Sequence, residues 1–243
     1  MTEVVLVLAH DSDDGAASVA ASVRSMLSPA AAPVEVWSVR PETLSLAAWS
    51  HSVDDHGRAR TRLALPGRPL LESGQIRAIF NRIQHLPVPQ FSYANVQDRD
   101  YAASEFQALV LSWLAASGER VVHTLRSQAW LTQSLPLLHW AASATRSGLA
   151  VAARDVGAAA QPWDATVLVA GTHTTGILAR RLGAACLSAA QALGFTLLEF
   201  RFARRGDVTE LVDVSPYPDL TDMEDIDAVA RCIADLTPMD ADA

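Results

Sequence analysis

The sequence predicts an α/β protein, with an N-terminal βαβ domain followed by a C-terminal mixed sheet. Three observations predict it. Apolar runs of strand length alternate with helical stripes along most of the chain. The first three elements read strand, helix, strand, which implies parallel pairing and a right-handed crossover. Near the C-terminus, two strand-like runs flank "RRGD", the pattern of an antiparallel hairpin.

"EVVLVLAH" is a continuous apolar run, as in a strand covered on both faces. In "DSDDGAASVAASVRSML", Val19, Ala20, Val23, Met26 and Leu27 share one helical stripe, and Ser12 or Asp13 serves as N-cap. "PVEVWSV" alternates as a second strand. No glycine fingerprint occupies the first turn, so no dinucleotide site is expected there. Arg40 to Glu72 is polar and broken by Pro41, Pro66 and Pro69. It reads as loop with a short hairpin or strand around "TRLAL", and His51 and His56 fall in the polar loop.

"QIRAIFNRI" reads as a strand. The next helix is expected to be capped by Asp98 or Asp100, with Tyr101, Ala102, Phe106, Leu109, Val110 and Trp113 as its buried stripe. "ERVVHTL" is a strand, "TQSLPLLHWAASATRSG" a helix with Pro136 in its first turn and Gly148 as C-cap, and "LAVAARD" a short strand. "VGAAAQPW" is rich in small residues and reads as a loop. These segments divide the chain into domains 1–125 and 126–243, with a seam near 153–163. "ATVLVAG" is a strand, and "TGILARRLGAACLSAAQALG" a helix ended by Gly194. "FTLLEFRFA" and "VTELVDV" form the hairpin, and "TDMEDIDAVARCIADL" is an acid-capped closing helix.

Composition bounds the function. The net charge of −8 argues against nucleic acid as a general partner, because phosphate binding needs a basic face. No apolar stretch reaches membrane-spanning length, and the acidic N-terminus lacks the basic start of a signal peptide, so a cytoplasmic protein is expected. Cys186 and Cys232 sit in helical apolar patterns and read as core residues. The seven histidines show no metal-ligand spacing. His10 and the acidic "HDSDD" lie at a strand end, where a capping role is favoured. All 19 basic residues are arginines and there is no lysine.

The order of the pieces resembles the ATP-grasp superfamily, particularly its glutathione-synthetase-like and peptide-modifying ligases. The resemblance rests on "FNRIQHLPVP" before "DRDYAASEFQALVLSWL", on "VVHTL" before "SGLAVAA" with His123 and Ala152 as departures, and on "ALGFTLLEF" before "LVDVSP". It implies that Asn81, Arg82, Glu105 and His123 face a substrate. Arg82 would either anchor a carboxylate by a bidentate fork or form a buried pair with Glu105. It also places the family's magnesium acids at Asp213 and, approximately, Glu199. Ser215 stands where the family has Asn.

Such ligases activate a carboxylate with ATP, and lysines on a small flap domain neutralise the triphosphate. Here only about a dozen residues separate Val151 from Ala165, too few for a four-stranded flap, and no lysine exists. The expectation is therefore an ATP-grasp-like mixed sheet lacking the lysine-bearing flap. Magnesium remains open and ATP is disfavoured. The partners expected are a peptide or small carboxylate ligand, together with a second copy or a catalytic protein on the uncovered edges. The alternatives are a carboxylate–amine ligase completed by a partner, or an enzyme repurposed to a reaction without ATP. A further candidate is anion binding by "VAGTHTTGILARR", where Thr172, Thr174, Thr175 and Arg180 would surround a helix N-terminus. A plain helix cap is the competing reading there.

Overall fold

A computed structural model of the chain describes residues 2–28, 33–122, 135–153 and 161–236. The chain divides into two compact units, residues 1–125 with 233–243, and residues 126–232. The architecture is mixed α/β, with one parallel and two antiparallel sheets.

In the first unit, β1 (Glu3–Leu8), α1 (Asp14–Leu27) and β2 (Val34–Val39) form the expected βαβ element, with β1 and β2 parallel. Asp13 is the N-cap of α1, and its Oδ1 accepts from the Ala16 N–H at 2.8 Å. β6 (Ile76–Asn81) and β7 (Val121–Val122) complete a parallel sheet in the order β2-β1-β6-β7. Val4 to Leu8 and Ala78 to Phe80 are buried, which explains their unbroken apolar runs.

The segment after β2 is more ordered than its composition suggests. A short helix α2 (Pro41–Ser45) leads into β3 (Ala48–Val53), β4 (Ala59–Ala64) and β5 (Leu71–Glu72), an antiparallel three-stranded sheet. His51 lies on β3 rather than in a loop. Its Nδ1 pairs with Thr61 Oγ1 at 2.8 Å and its Nε2 with Ser112 Oγ at 3.0 Å. Trp49 meets Phe106 and Trp113 edge-on, packing this sheet on α3 (Val96–Ser117).

Two expectations for α3 are corrected. Asn95, not Asp98 or Asp100, caps it: Asn95 Oδ1 accepts from the Asp98 N–H at 2.9 Å. The expected stripe is buried only at Val110 and Trp113, in its C-terminal half, where the small sheet covers it. Tyr101 is 68% exposed, and Glu105 is exposed as well.

In the second unit, β8 (Ala165–Ala170), β9 (His173–Thr175), β10 (Leu197–Arg205) and β11 (Val208–Ser215) form an antiparallel sheet in the order β11-β10-β8-β9. α4 (Leu137–Arg146) and α5 (Ala179–Leu193) cover one face. Trp140, Ala144, Cys186, Ala189 and Leu193 pack there on Val167, Val169, Phe200 and Phe202. Pro136 is the N-cap of α4 rather than part of its first turn. Its other end closes as a Schellman motif. Gly148, at φ +86°, donates to the Thr145 carbonyl and Leu149 donates to that of Ala144. Gly194 ends α5 as expected. Among the described residues of "LAVAARD", the strand is reduced to one parallel bridge, Val151 to Leu211. α6 (Met223–Ala234) closes the described chain.

The hairpin β10–β11 has a β-bulge. Arg201 pairs with Asp213, but Phe202 pairs with Leu211, so Val212 is the extra residue. Phe202 and Leu211 thereby share the core face, while Arg201 and Asp213 share the other.

Candidate functional site

In the first unit, the carboxyl ends of the parallel strands bring Asn81 and Arg82 together with Asp13. The connection after β1 leads to β2 on one side, and that after β6 leads to β7 on the other. The ends of β1 and β6 therefore flank a topological switch point, where ligands bind in open α/β sheets. Arg82 follows β6 directly, and its N–H donates to the Leu8 carbonyl at 2.7 Å. Its Nε donates to Asp13 Oδ2 at 2.8 Å. Asp13 thus caps α1 and balances Arg82 at once. Glu105 is exposed on α3, so the buried Arg82–Glu105 pair is not formed.

Asn81 is fully buried, and its Oδ1 accepts from the Ile83 N–H at 3.3 Å. A shallow hollow of about 230 Å³ opens beside Asp13, lined also by His10, Asp11, Ser38, Arg40 and Thr43. Arg40 and Asp11, both on its lining, form an exposed ion pair at 3.1 Å. His123 lies outside the described residues.

In the second unit, the predicted magnesium acids come together on the face of β10–β11 away from the core. Glu199 stands across from Ser215, and Arg201 across from Asp213. Arg201 lies between the two acids. Its Nε donates to Glu199 Oε1 at 2.6 Å and its Nη1 to Asp213 Oδ2 at 3.3 Å. Its guanidinium carbon also sits 4.4 Å from the ring centre of Trp163, a cation–π contact. Burial pushes the Glu199 carboxyl above its usual range, and Arg201 only partly offsets this. Ser215 donates its hydroxyl to the Tyr217 carbonyl at 3.0 Å.

These residues do not fit a magnesium ion. That ion needs several free hard oxygens in octahedral geometry. Here a guanidinium already holds both carboxylates, and the Ser215 hydroxyl is committed. Among the described residues, no group of three or more His, Cys, Asp or Glu is arranged for a metal. Arg201 was the residue missed by sequence reasoning. Its signal was present, because Glu199 and Arg201 are two apart on one strand and so share a face.

The expected anion site is also rearranged. Thr174 and Thr175 lie on β9, which turns back on β8 ahead of the helix. The Thr175 hydroxyl donates to the Asp225 carboxylate. A Cβ at Gly183 would lie 2.7 Å from Thr174 Oγ1, so Thr174 is packed against α5. The N-cap of α5 is Leu178, with no side-chain cap. Thr172 and Arg180 are exposed, and the Arg181 guanidinium donates to Thr209 Oγ1 at 2.7 Å. Thr175 is therefore held by Asp225, and Thr174 is packed on α5.

No protein-family model and no curated protein matches the sequence. Solved structures do resemble the fold. A RiPP-associated ATP-grasp ligase of Chryseobacterium gregarium, in complex with ADP and a leader and core peptide, aligns at TM-score 0.70 and 10% identity, over 97% of this chain and 96% of that one. The macrocyclase MdnC of Microcystis aeruginosa MRC, bound with the precursor peptide MdnA, aligns at TM-score 0.69 and 9% identity, over 96% and 99%. A RimK domain ATP-grasp protein of Sphaerobacter thermophilus aligns at TM-score 0.51 and 13% identity, over 96% and 99%. By its architecture and these likenesses, the chain has an ATP-grasp-like fold.

Proposed function

We propose that this protein is a peptide- or carboxylate-binding scaffold in a biosynthetic pathway for modified peptides, and that it binds no nucleotide by itself. The observation that carries this reading is the Arg201 bridge between Glu199 and Asp213. It puts a fixed protein cation between the acids to which the family resemblance assigns a magnesium ion. The absence of lysine supports the same reading, because nothing of that type can neutralise a triphosphate. The peptide ligand is supported by two solved relatives of like fold, one held with a leader and core peptide and one with a precursor peptide.

A second reading has one observation in its favour: a solved relative of like fold holds ADP. On that reading the chain is a carboxylate–amine ligase that a partner completes. Titration calorimetry with Mg-ATP tests the proposal on the isolated protein. No saturable binding is expected, and micromolar affinity would overturn it. ATP turnover that arises only on adding a protein encoded beside this one would establish the second reading.

A further inference from the structure

The N-terminal half of α3 presents a partly covered apolar stripe, with Tyr101 exposed and Ala102, Phe106 and Leu109 half-buried. Asp98, Tyr101, Ala102, Glu105, Phe106 and Leu109 follow at helical spacing on one face. With the turn at Phe91 they line a hollow of about 850 Å³. Tyr101 is 68% exposed and Phe91 41%. Phe106 gives one edge to Trp49 and borders the hollow as well. Aromatic residues left in water on a concave surface mark an interaction site.

The charges select the occupant. The stripe holds two acids, Asp98 and Glu105, and among the described residues no basic side chain lines the hollow. Two copies meeting here across a two-fold axis would bring like charges together. A segment with an apolar face flanked by Lys or Arg meets both the aromatic surface and the acids.

We infer that this hollow docks an amphipathic, basic segment of a peptide, laid along α3 with its apolar residues between Phe91 and Tyr101 and its cations at Asp98 and Glu105. The inference rests on the peptide-binding reading above and names the place and the chemistry of that contact.

The test is fluorescence anisotropy with a labelled synthetic helix-forming peptide, carrying Leu at every third and fourth position and Lys on both sides of that stripe. A second probe has Glu for each Lys. The protein is expected to bind the Lys peptide saturably and at least about tenfold more tightly than the Glu peptide. Tyr101→Ala should weaken binding about tenfold with the melting temperature unchanged. Glu105→Arg should shift preference toward the Glu peptide.

Equal binding of both probes, or no saturable binding of the Lys peptide, overturns the inference. Lys-peptide binding that ignores both substitutions also overturns it, while leaving a peptide ligand in place elsewhere on the protein. Light scattering supplies one more contrary outcome: a dimer that Tyr101→Ala converts to monomer, without peptide binding, assigns the hollow to a second copy. Nucleotide calorimetry is independent of all these results.

Discussion

At the scale of single residues, the side chain with the largest consequence is Arg201. Arg201→Met removes the cation shared by Glu199 and Asp213. The side chains concerned keep between 8% and 19% exposure. The expected loss is therefore about 2–3 kcal/mol, at or below the ~3–5 kcal/mol of a fully buried pair. Urea unfolding would measure it. Magnesium should restore part of that stability in the variant and none in the parent protein; stabilisation of the parent by magnesium would contradict the Arg201 argument.

Asp225 gives a second residue-scale expectation. Burial raises its carboxyl above the usual value, as do the neighbouring charges of Asp222 and Glu224, while the Thr175 hydrogen bond opposes them. The native state then holds the proton more tightly than the unfolded chain. The stability tied to this proton is complete below the ordinary aspartate range and is lost as pH rises through the raised native value. Asp225→Asn should flatten that decline. Unfolding curves taken from pH 4 upward in both proteins, if parallel, would remove Asp225 as the cause.

Among the elements, β9 is the most dependent on one position. Gly176 ends the strand at φ +100°, and a Cβ there would lie 2.5 Å from the Thr166 carbonyl oxygen on β8. That obstacle is backbone and cannot rotate away. Gly176→Ala should cost at least about 2 kcal/mol, from the strained φ together with the displaced strand. Thermal unfolding followed by circular dichroism gives the value, and an unchanged midpoint would show that the turn can reshape.

The same stretch shows why element boundaries hid from the sequence. A three-residue strand of His and Thr between glycines has no period to read, so "GTHTTG" reads equally well as a helix cap. At α3, Asn95 and Asp98 are both capping types three residues apart, and only the backbone path decides between them.

For the whole molecule, the legible part was whatever periodicity dictates. The run of β1 announced a covered strand, those of β6 and β8 announced strands, the stripe of α1 announced its buried face, and "RRGD" announced the hairpin. What register and long-range packing determine was not legible. Arg82 finds Asp13, 69 positions away in the chain, rather than Glu105. Trp49 draws onto α3 a three-stranded sheet of which only the strand at "TRLAL" was read from composition. The candidate site divides in the same way: Asp213 and Glu199 could be named from motif order, whereas Arg201 between them needed the pairing of two strands.

The bulge at Val212 has a consequence for how this chain can vary by descent. It sets the tip and the base of β11 in opposite phase, so that Leu211 and Asp213 each point where their chemistry requires. Loss of that one codon would remove the surplus residue and return β11 to plain alternation, with Leu211 still opposite Phe202 and Asp213 still opposite Arg201. A codon lost at Arg201 in β10, which has no surplus residue, would instead turn Phe202 out into water. Single-residue deletions should therefore be tolerated at Val212 as at the hairpin tip near Gly206, and purged at Arg201.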